Sequence, residues 1–332
     1  MTALKAPFPY FGGKSGAAEK VWSALGDVDN YVEPFAGSGA VLLARPHRPR
    51  VETINDADGY VANAWRAMQL RPDETAQHAD WPVIEADLHA RHRWLLGERE
   101  RVTEALIADP EWCDPRAAGW WIWGACCWIG GGWCSGTRSP QLPYLSGDGR
   151  GVHKPSMKLP RLSDDGSGVH RPDWAASGYE RTSLAAWFAA LSARLRGVRV
   201  CCGDWARVCT PAVTTWHLQC FAGGTCGVFL DPPYGDTRSA KLYAKDDITV
   251  AAACLRWCIE RGAAPNIRIV LAGYEGEHEA LAAHGWRAVE WFKAGFLRGG
   301  YAQQGADGHQ QHRERLWLSP QCLADRQGEL FA

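Results

Sequence analysis

An aspartate, two prolines and a tyrosine, Asp231 to Tyr234, directly follow the apolar residues Val228 to Leu230. The apolar run predicts the end of a buried strand. Pro232 and Pro233 cannot donate hydrogen bonds to a sheet, so they must lie beyond that strand. In open α/β sheets, ligands bind at the carboxyl ends of the strands. We therefore expect Asp231 and Tyr234 at a ligand-binding edge.

A second candidate is the segment EPFAGSGA, Glu33 to Ala40. Gly37 and Gly39 would lie in a turn from strand to helix, where glycine lets a ligand approach the backbone closely. Asp56 ends the next predicted strand, and an acid there can bind ribose hydroxyls. The third glycine of a dinucleotide-binding turn is replaced by Leu42. The pattern favours a nucleoside-type cofactor without a pyrophosphate.

Two further motifs are ambiguous by themselves. Lys14 lies in PYFGGKS, which lacks the spacing of a P-loop and follows no clear strand, so alone it indicates a solvated lysine in a turn. Asp204 in CCGDW ends another predicted strand, where it can meet the amino group of a base or simply cap a helix.

The elements that position these motifs alternate between strand and helix. Strands are predicted at Tyr31 to Pro34, Val51 to Asn55, Val198 to Cys202, Gly227 to Leu230 and Ile267 to Ala272, and a closing pair at Trp286 to Phe292 and Arg315 to Leu318. The pattern predicts an α/β fold with a Rossmann-like sheet. Between Arg71 and Thr182 the alternation is lost. We expect residues 1–70 and 183–332 to form one domain and residues 71–182 an inserted, mainly helical and loop subdomain.

Composition excludes several classes of protein. The formal net charge of -1 rules out a globally basic surface, and no apolar run of transmembrane length occurs. The 12 cysteines show no metal-binding spacing and no signal peptide precedes them, which predicts core thiols, no metal and a cytoplasmic location. Six of the 18 tryptophans lie between residues 112 and 133, and we expect most of them to pack in a core.

Taken together, the order PYFGGK, EPFAGSG, Asp56, an insertion, Gly203-Asp204 and DPPY resembles Dam-type DNA adenine methyltransferases of the alpha group. The resemblance covers Pro7 to Met68 and Leu184 to about Pro320. The family carries its target-recognition domain where residues 71–182 stand. The resemblance implies transfer of a methyl group from S-adenosylmethionine to the exocyclic amine of adenine in DNA, with base flipping, by a cytoplasmic monomer of a bacterium or a bacterial virus. It does not identify a recognition sequence or a restriction enzyme partner.

The same resemblance assigns roles to individual residues. Tyr10 and Lys14 would lie along the cofactor and catalytic pocket, although the family usually has tryptophan where Tyr10 stands. The methionine part of the cofactor would lie over Phe35, Gly37 and Gly39. The resemblance further implies Asp56 at the ribose, Asp204 at the cofactor's adenine, and Asp231 beside both cofactor and substrate.

The DPPY motif has a chemical rationale. An aromatic amine attacks a methyl sulfonium poorly, because its lone pair is delocalised into the ring. The Asp231 carboxylate and the Pro232 carbonyl can accept its hydrogens and draw the nitrogen towards a tetrahedral geometry. Pro233 belongs to the same motif, and Tyr234 can stack on a base flipped out of the duplex. Asp231 would also accept the proton that the amine loses.

Candidate DNA contacts lie in two segments rich in glycine and basic residues. The candidate residues are Arg138, Lys154, Lys158 and Arg161 in the insertion, and Arg298 and Arg313 in the loop between the two closing strands. Solvated surface charges are the alternative for both segments.

Other functions remain open at this point. A cytosine N4 methyltransferase uses the same acceptor geometry but more often has serine in place of Asp231. Methyltransferases of RNA or of protein glutamine are less favoured, because the latter have asparagine at that position. A binding-only methylase relative is disfavoured by the intact DPPY motif and Lys14, and a nicotinamide dehydrogenase by Leu42.

Overall fold

The computed structural model describes residues 4–10, 13–109, 111–128, 133–134, 183–215, 218, 224–233, 248–291 and 314–323, together with the backbone of 144–145 and 152–153. Its strands are β1 (Asn30–Glu33), β2 (Val51–Asp56), β3 (Tyr144–Leu145), β4 (Val152–His153), β5 (Val198–Cys202), β6 (Cys226–Leu230), β7 (Ile267–Tyr274), β8 (Arg287–Glu290) and β9 (Glu314–Leu318). Its helices are α1 (Ala18–Leu25), α2 (Ala40–Leu43), α3 (Gly59–Leu70), α4 (Pro72–Ala79), α5 (Glu85–Ala108), α6 (Pro115–Cys127), α7 (Leu184–Leu195), α8 (Pro211–Thr214) and α9 (Ile248–Arg261).

Seven of these strands form one sheet in the order β5-β2-β1-β6-β7-β9-β8. The five strands from β5 to β7 run parallel, and β9 pairs antiparallel with both β7 and β8. The remaining two strands, β3 and β4, pair separately as an antiparallel hairpin. The predicted α/β fold with a Rossmann-like sheet is confirmed, including the closing strand pair.

The central strands are buried on both faces of the sheet. Every residue of β1 and β6 is buried, as expected for parallel strands covered by helices on both sides. Along β6, Phe229 contributes to a core on one face, whereas Val228 and Leu230 contribute to a second core on the other. The sheet is therefore the middle layer of three.

The helices α4, α5 and α6 lie within the expected insertion, and they pack on the sheet's own helices. Contacts join α6 to α3 and α4, and α4 to α7. Trp121 and Trp123 of α6 belong to the same hydrophobic cluster as Trp65 of α3 and Phe188 of α7. The expectation that most tryptophans pack in the core is confirmed for the described ones. The subdomain boundaries at residues 70/71 and 182/183 remain a prediction.

Arg91 on α5 lies among three tryptophans. Its guanidinium carbon is 4.4 Å from the ring centre of Trp123, 4.9 Å from that of Trp81 and 5.0 Å from that of Trp120. A guanidinium can be buried in this way because the faces of aromatic rings attract cations. These three tryptophans thus have a packing role around a buried cation.

A buried ion pair connects α7 to β2. Arg194 donates to both carboxylate oxygens of Glu52, over 2.7 and 2.9 Å, and also to the carbonyl of Leu42 over 3.0 Å. Arg45 donates to the same carboxylate over 3.3 Å. Glu52, whose side chain is only 2% exposed, is therefore held between two guanidinium groups.

Membrane-spanning helices and clusters of metal ligands are both absent from the described part of the chain. No helix there is long and apolar enough to cross a membrane, and no group of three or more potential metal ligands occurs. Eight of the 11 cysteines described there are buried, and all 11 are free thiols, in agreement with the expected core role.

Candidate active site

A cavity of about 310 Å³ opens at the carboxyl edge of the parallel strands. It is lined by loops after β1, β2, β5 and β6, and by the segment before α1. The structure thus brings together most of the predicted site residues that it describes: Tyr10, Lys14, Phe35, Gly37, Asp56, Asp204, Asp231 and Pro233. Gly39 and Pro232 lie beside this lining and not in it. Tyr234 and the six candidate DNA-binding residues lie outside the described residues.

The turn after β1 requires glycine at two positions. Gly37 and Gly39 have φ angles of +45° and +57°, in the left-handed region that other residues rarely adopt. A Cβ atom on Gly37 would lie 2.5 Å from the Tyr10 ring, and one on Gly39 would lie 3.0 Å from the Trp65 ring. Trp65 also donates its indole N–H to the Gly37 carbonyl over 2.8 Å. The turn is therefore clamped between two aromatic side chains.

Asp56 ends β2 and fixes this turn from the other side. Its Oδ2 atom accepts the Gly37 amide and its Oδ1 atom accepts the Asp58 amide, both over 2.9 Å. Burial raises the pKa of Asp56 to about 7, although these hydrogen bonds oppose the rise. Asp58 caps α3 through the Tyr60 amide and forms an ion pair with Arg99 of α5 at 3.2 Å.

Lys14 and Asp231 form an ion pair within the cavity. Their Nζ and Oδ1 atoms are 3.0 Å apart, and the side chains are 3% and 20% exposed. Lys14 precedes α1 and Asp231 follows β6, so the pair joins residues 217 positions apart in the chain. The interpretation of Lys14 as a solvated lysine is wrong, because its ammonium is buried beside a carboxylate.

An aromatic wall closes the side of the cavity after β5. Phe35 and Trp205 stack with ring centres 6.0 Å apart and an interplanar angle of 28°. Asp204 caps the short 3-10 helix Trp205–Val208, because its Oδ1 atom accepts the Ala206 amide over 2.8 Å. The capping role is confirmed, and a contact between Asp204 and a ligand stays a prediction. Sequence reasoning missed Trp205, although it stands next to Asp204 in CCGDW.

Glu33 is a second residue that sequence reasoning missed. It ends β1, is 2% exposed and lines the cavity. Its Oε2 atom accepts hydrogen bonds from the Tyr31 hydroxyl over 3.0 Å and from the Leu42 amide over 3.2 Å. Burial raises the pKa of Glu33 to about 8. The available signal was its position as the last residue of the strand that leads into the glycine turn.

The titratable side chains around the cavity are mostly acids. Among the described residues that line it, one lysine faces five acids: Glu33, Asp56, Asp58, Asp204 and Asp231. Glu33 and Asp56, with pKa values of about 8 and about 7, are partly protonated at neutral pH, and each can become negative when a positive charge approaches. An acidic lining of this kind attracts cations and repels phosphates and other anions. The arrangement therefore suits a cationic ligand.

Comparison with known families agrees with this geometry. Residues 10–82 match D12 class N6 adenine-specific DNA methyltransferases. The match confirms the resemblance to Dam-type adenine methyltransferases. It supports an enzyme that methylates adenine in DNA, which requires a methyl donor. None of the curated proteins matches the chain.

The matched segment holds only part of the site. It includes Tyr10, Lys14, the glycine turn and Asp56, whereas Asp204 and Asp231 lie more than 100 residues beyond its end. The fold brings these later acids into the cavity that the matched segment lines, because β5 and β6 flank β2 and β1 in the sheet.

Proposed function

We propose that this protein transfers a methyl group from S-adenosylmethionine to the exocyclic N6 amine of adenine in DNA. The observation that carries the proposal is the ion pair between Lys14, within the matched segment, and Asp231 of the DPPY motif, inside one cavity. Neither motif by itself indicates a reaction. Together they bring a reactive acid and a lysine into one cavity, which the glycine turn and the Phe35–Trp205 wall also line.

The cavity residues fit the proposed cofactor. S-adenosylmethionine supplies an electrophilic methyl group on a positively charged sulfur, and an acidic lining favours such a cation. Asp56 would accept ribose hydroxyls, and Asp204 the amino group of the cofactor's adenine. Phe35 and Trp205 offer an apolar surface to that base. Tyr10 packs over Gly37 at the methionine end.

Asp231 and Pro232 would act on the substrate amine. The carboxylate of Asp231 and the carbonyl of Pro232 would accept the two N–H groups, which orients the nitrogen lone pair towards the methyl group. The nitrogen gains the methyl group and loses one proton, and Asp231 accepts that proton. Lys14 would hold the Asp231 carboxylate in place until the amine arrives, since its ammonium is already paired with it.

The remaining parts of the proposal involve residues outside the described part of the chain. Tyr234 would stack on the flipped adenine, which offsets part of the unstacking cost of a few kcal/mol. DNA phosphates would be contacted by Arg138, Lys154, Lys158, Arg161, Arg298 and Arg313. The number of phosphates that these residues neutralise would set how steeply DNA affinity falls with salt concentration. The cytoplasmic location and the monomeric state remain predictions.

The test is methylation of unmethylated DNA with methyl-labelled S-adenosylmethionine, followed by nucleoside mass spectrometry. We expect the label in N6-methyladenine with wild-type protein, and a loss of at least 100-fold with Asp231→Asn, which keeps the shape of the side chain but not its charge. Asp73→Asn on the exposed face of α4 makes the same chemical change away from the cavity and should retain full activity.

Three other outcomes would overturn parts of the proposal. Label in N4-methylcytosine would keep the fold and replace the substrate. Unlabelled DNA with the cofactor still bound would indicate an RNA or protein substrate or a binding-only relative. An active Asp231→Asn variant would refute the role given to that carboxylate.

A further inference from the structure

Glu33 lines the proposed cofactor cavity, yet the reaction as described gives it no role. Its side chain is buried, and both of its hydrogen bonds, from the Tyr31 hydroxyl and the Leu42 amide, end on Oε2. Among the described residues, no ion pair includes Glu33. A carboxylate in this position would be a buried charge without a partner, which is strongly unfavourable.

The charged groups packed around Glu33 explain why it has no cationic partner. Glu52 on β2 is an acid that forms ion pairs with Arg194 of α7 and Arg45 after α2. Asp231 after β6 is also an acid, and Lys14 is paired with it. Within the described part of the chain, the cations Arg45, Arg194 and Lys14 are therefore each engaged with another carboxylate. Glu52 and Asp231 both disfavour a negative charge on Glu33.

The protonation state of Glu33 should consequently depend on what occupies the cavity. Burial is the largest cause of its raised pKa of about 8, and Asp231 and Glu52 raise it further. The bonds from Tyr31 and Leu42 act in the opposite direction. At neutral pH the carboxyl group is thus mostly protonated. A positive charge entering the cavity would stabilise the carboxylate and lower this pKa.

We propose that Glu33 discriminates the methyl donor from the spent cofactor by charge, releasing its proton when a sulfonium ligand binds and regaining it when the neutral thioether remains. The inference rests on the proposed function, since it takes S-adenosylmethionine as the donor. On binding, the carboxyl O–H bond breaks and the proton passes to solvent, and after methyl transfer the carboxylate takes a proton back. The carboxylate attracts the donor, whereas the thioether product gains nothing from it.

The proposal makes the affinity for the two ligands respond differently to pH. Donor binding that releases a proton strengthens as the pH rises from about 6 to 8, by up to tenfold per pH unit when one full proton is released. Binding of S-adenosylhomocysteine should change much less over that range. Both ligands carry the same amino-acid and adenosine groups, so the difference between them reports the sulfonium charge alone.

The experiment is calorimetric titration of the full chain with S-adenosylmethionine and with S-adenosylhomocysteine at pH 7.5, in two buffers of different ionisation enthalpy. The difference between buffers gives the number of protons released. We expect about half a proton or more for the donor and close to none for the thioether. In Glu33→Gln the two ligands should release equal numbers of protons.

Tyr31→Phe provides a second variant that retains the carboxyl group. It removes the hydroxyl bond that lowers the pKa of Glu33. Proton release on donor binding should therefore move to higher pH in this variant, a shift that a purely structural role for Glu33 would not produce. Tyr31→Phe also keeps the aromatic ring that packs on Trp22, so it tests the proposal independently of Glu33→Gln.

Two failures can be told apart. Wild-type protein that binds neither ligand would refute the proposed function and this inference with it. Donor binding with equal proton release for both ligands, or with release unchanged in Glu33→Gln, would leave the proposed function intact and overturn the role of Glu33. In the latter case the proton would come from another group, for which Asp56, with a pKa of about 7, is a candidate.

Discussion

Replacing Gly37 with alanine tests whether the glycine turn builds the cofactor cavity. The substitution adds one methyl group in the left-handed region, at φ +45°, and places it 2.5 Å from a carbon of the Tyr10 ring. The backbone cannot easily yield, because the Gly37 amide donates to Asp56 and its carbonyl accepts from Trp65. The Tyr10 ring must therefore move, and it lines the cavity.

The expected cost has two parts. A left-handed conformation costs alanine about 1–2 kcal/mol. Forcing a methyl group against a packed ring costs a further 1–3 kcal/mol, roughly the range for overpacked sites. We expect Gly37→Ala to lower the free energy of unfolding by about 2–5 kcal/mol and to weaken S-adenosylmethionine binding by at least tenfold, since a displaced Tyr10 changes the shape of the cavity.

The assays are denaturant unfolding and calorimetric titration with S-adenosylmethionine. Gly97→Ala is the matched control, because Gly97 lies inside α5 and a Cβ atom there meets nothing within 4 Å. It should stabilise the protein by about 0.5–1 kcal/mol, as alanine does in helix interiors, and leave binding unchanged.

The double variant Gly37→Ala/Tyr10→Ala separates the two parts of the cost. Removing the ring relieves the contact but not the backbone strain, so the two substitutions should be less destabilising together than the sum of the single changes. Additive effects would show that Tyr10 does not press on the turn. Unchanged cofactor affinity in Gly37→Ala would refute the placement of the cofactor over this turn.

Three further changes test other parts of the structure. The folded-state pKa of Glu33, about 8, lies above its ordinary value of 4.5, so its contribution to stability is fully present below pH 4.5 and is lost as the pH rises through 8. Glu33→Gln should therefore flatten the dependence of unfolding free energy on pH and stabilise the protein at pH 8 by as much as about 4 kcal/mol, measured by denaturant titrations from pH 5 to 8. An unchanged slope would contradict the raised pKa of Glu33 in the folded state. Arg194→Met removes one of two guanidinium groups from the buried Glu52 and should cost about 3–5 kcal/mol, whereas a loss below 1 kcal/mol would show that Arg45 suffices. Trp205→Ala removes half of the aromatic wall and should weaken S-adenosylmethionine binding about 10-fold to 100-fold, with little change in DNA binding. An unaltered calorimetric affinity for S-adenosylmethionine would show that the cofactor's adenine lies elsewhere.

Much of the fold and part of the site could be predicted from local sequence. The strands β2, β5, β6 and β7 were predicted within two residues, because each is a compact apolar run bounded by turn residues. The edge positions of Asp56, Asp204 and Asp231 followed from the same rule, since each acid directly ends or follows such a run. The glycines of the turn were also predictable, because a left-handed backbone requires that residue type.

Tertiary structure alone decided which of these groups meet. Lys14 in isolation indicated a solvated turn residue, and only the packing of the segment before α1 against the end of β6 buries its ammonium beside Asp231. Glu33 showed no pattern of its own, and its raised pKa arises from burial and from the acids on β2 and after β6. Trp205 forms a wall of the cavity only because it stacks with Phe35, which lies in the loop after β1. Local sequence sets backbone propensities and strand ends, but burial and pair distances depend on contacts between segments that lie far apart in the chain.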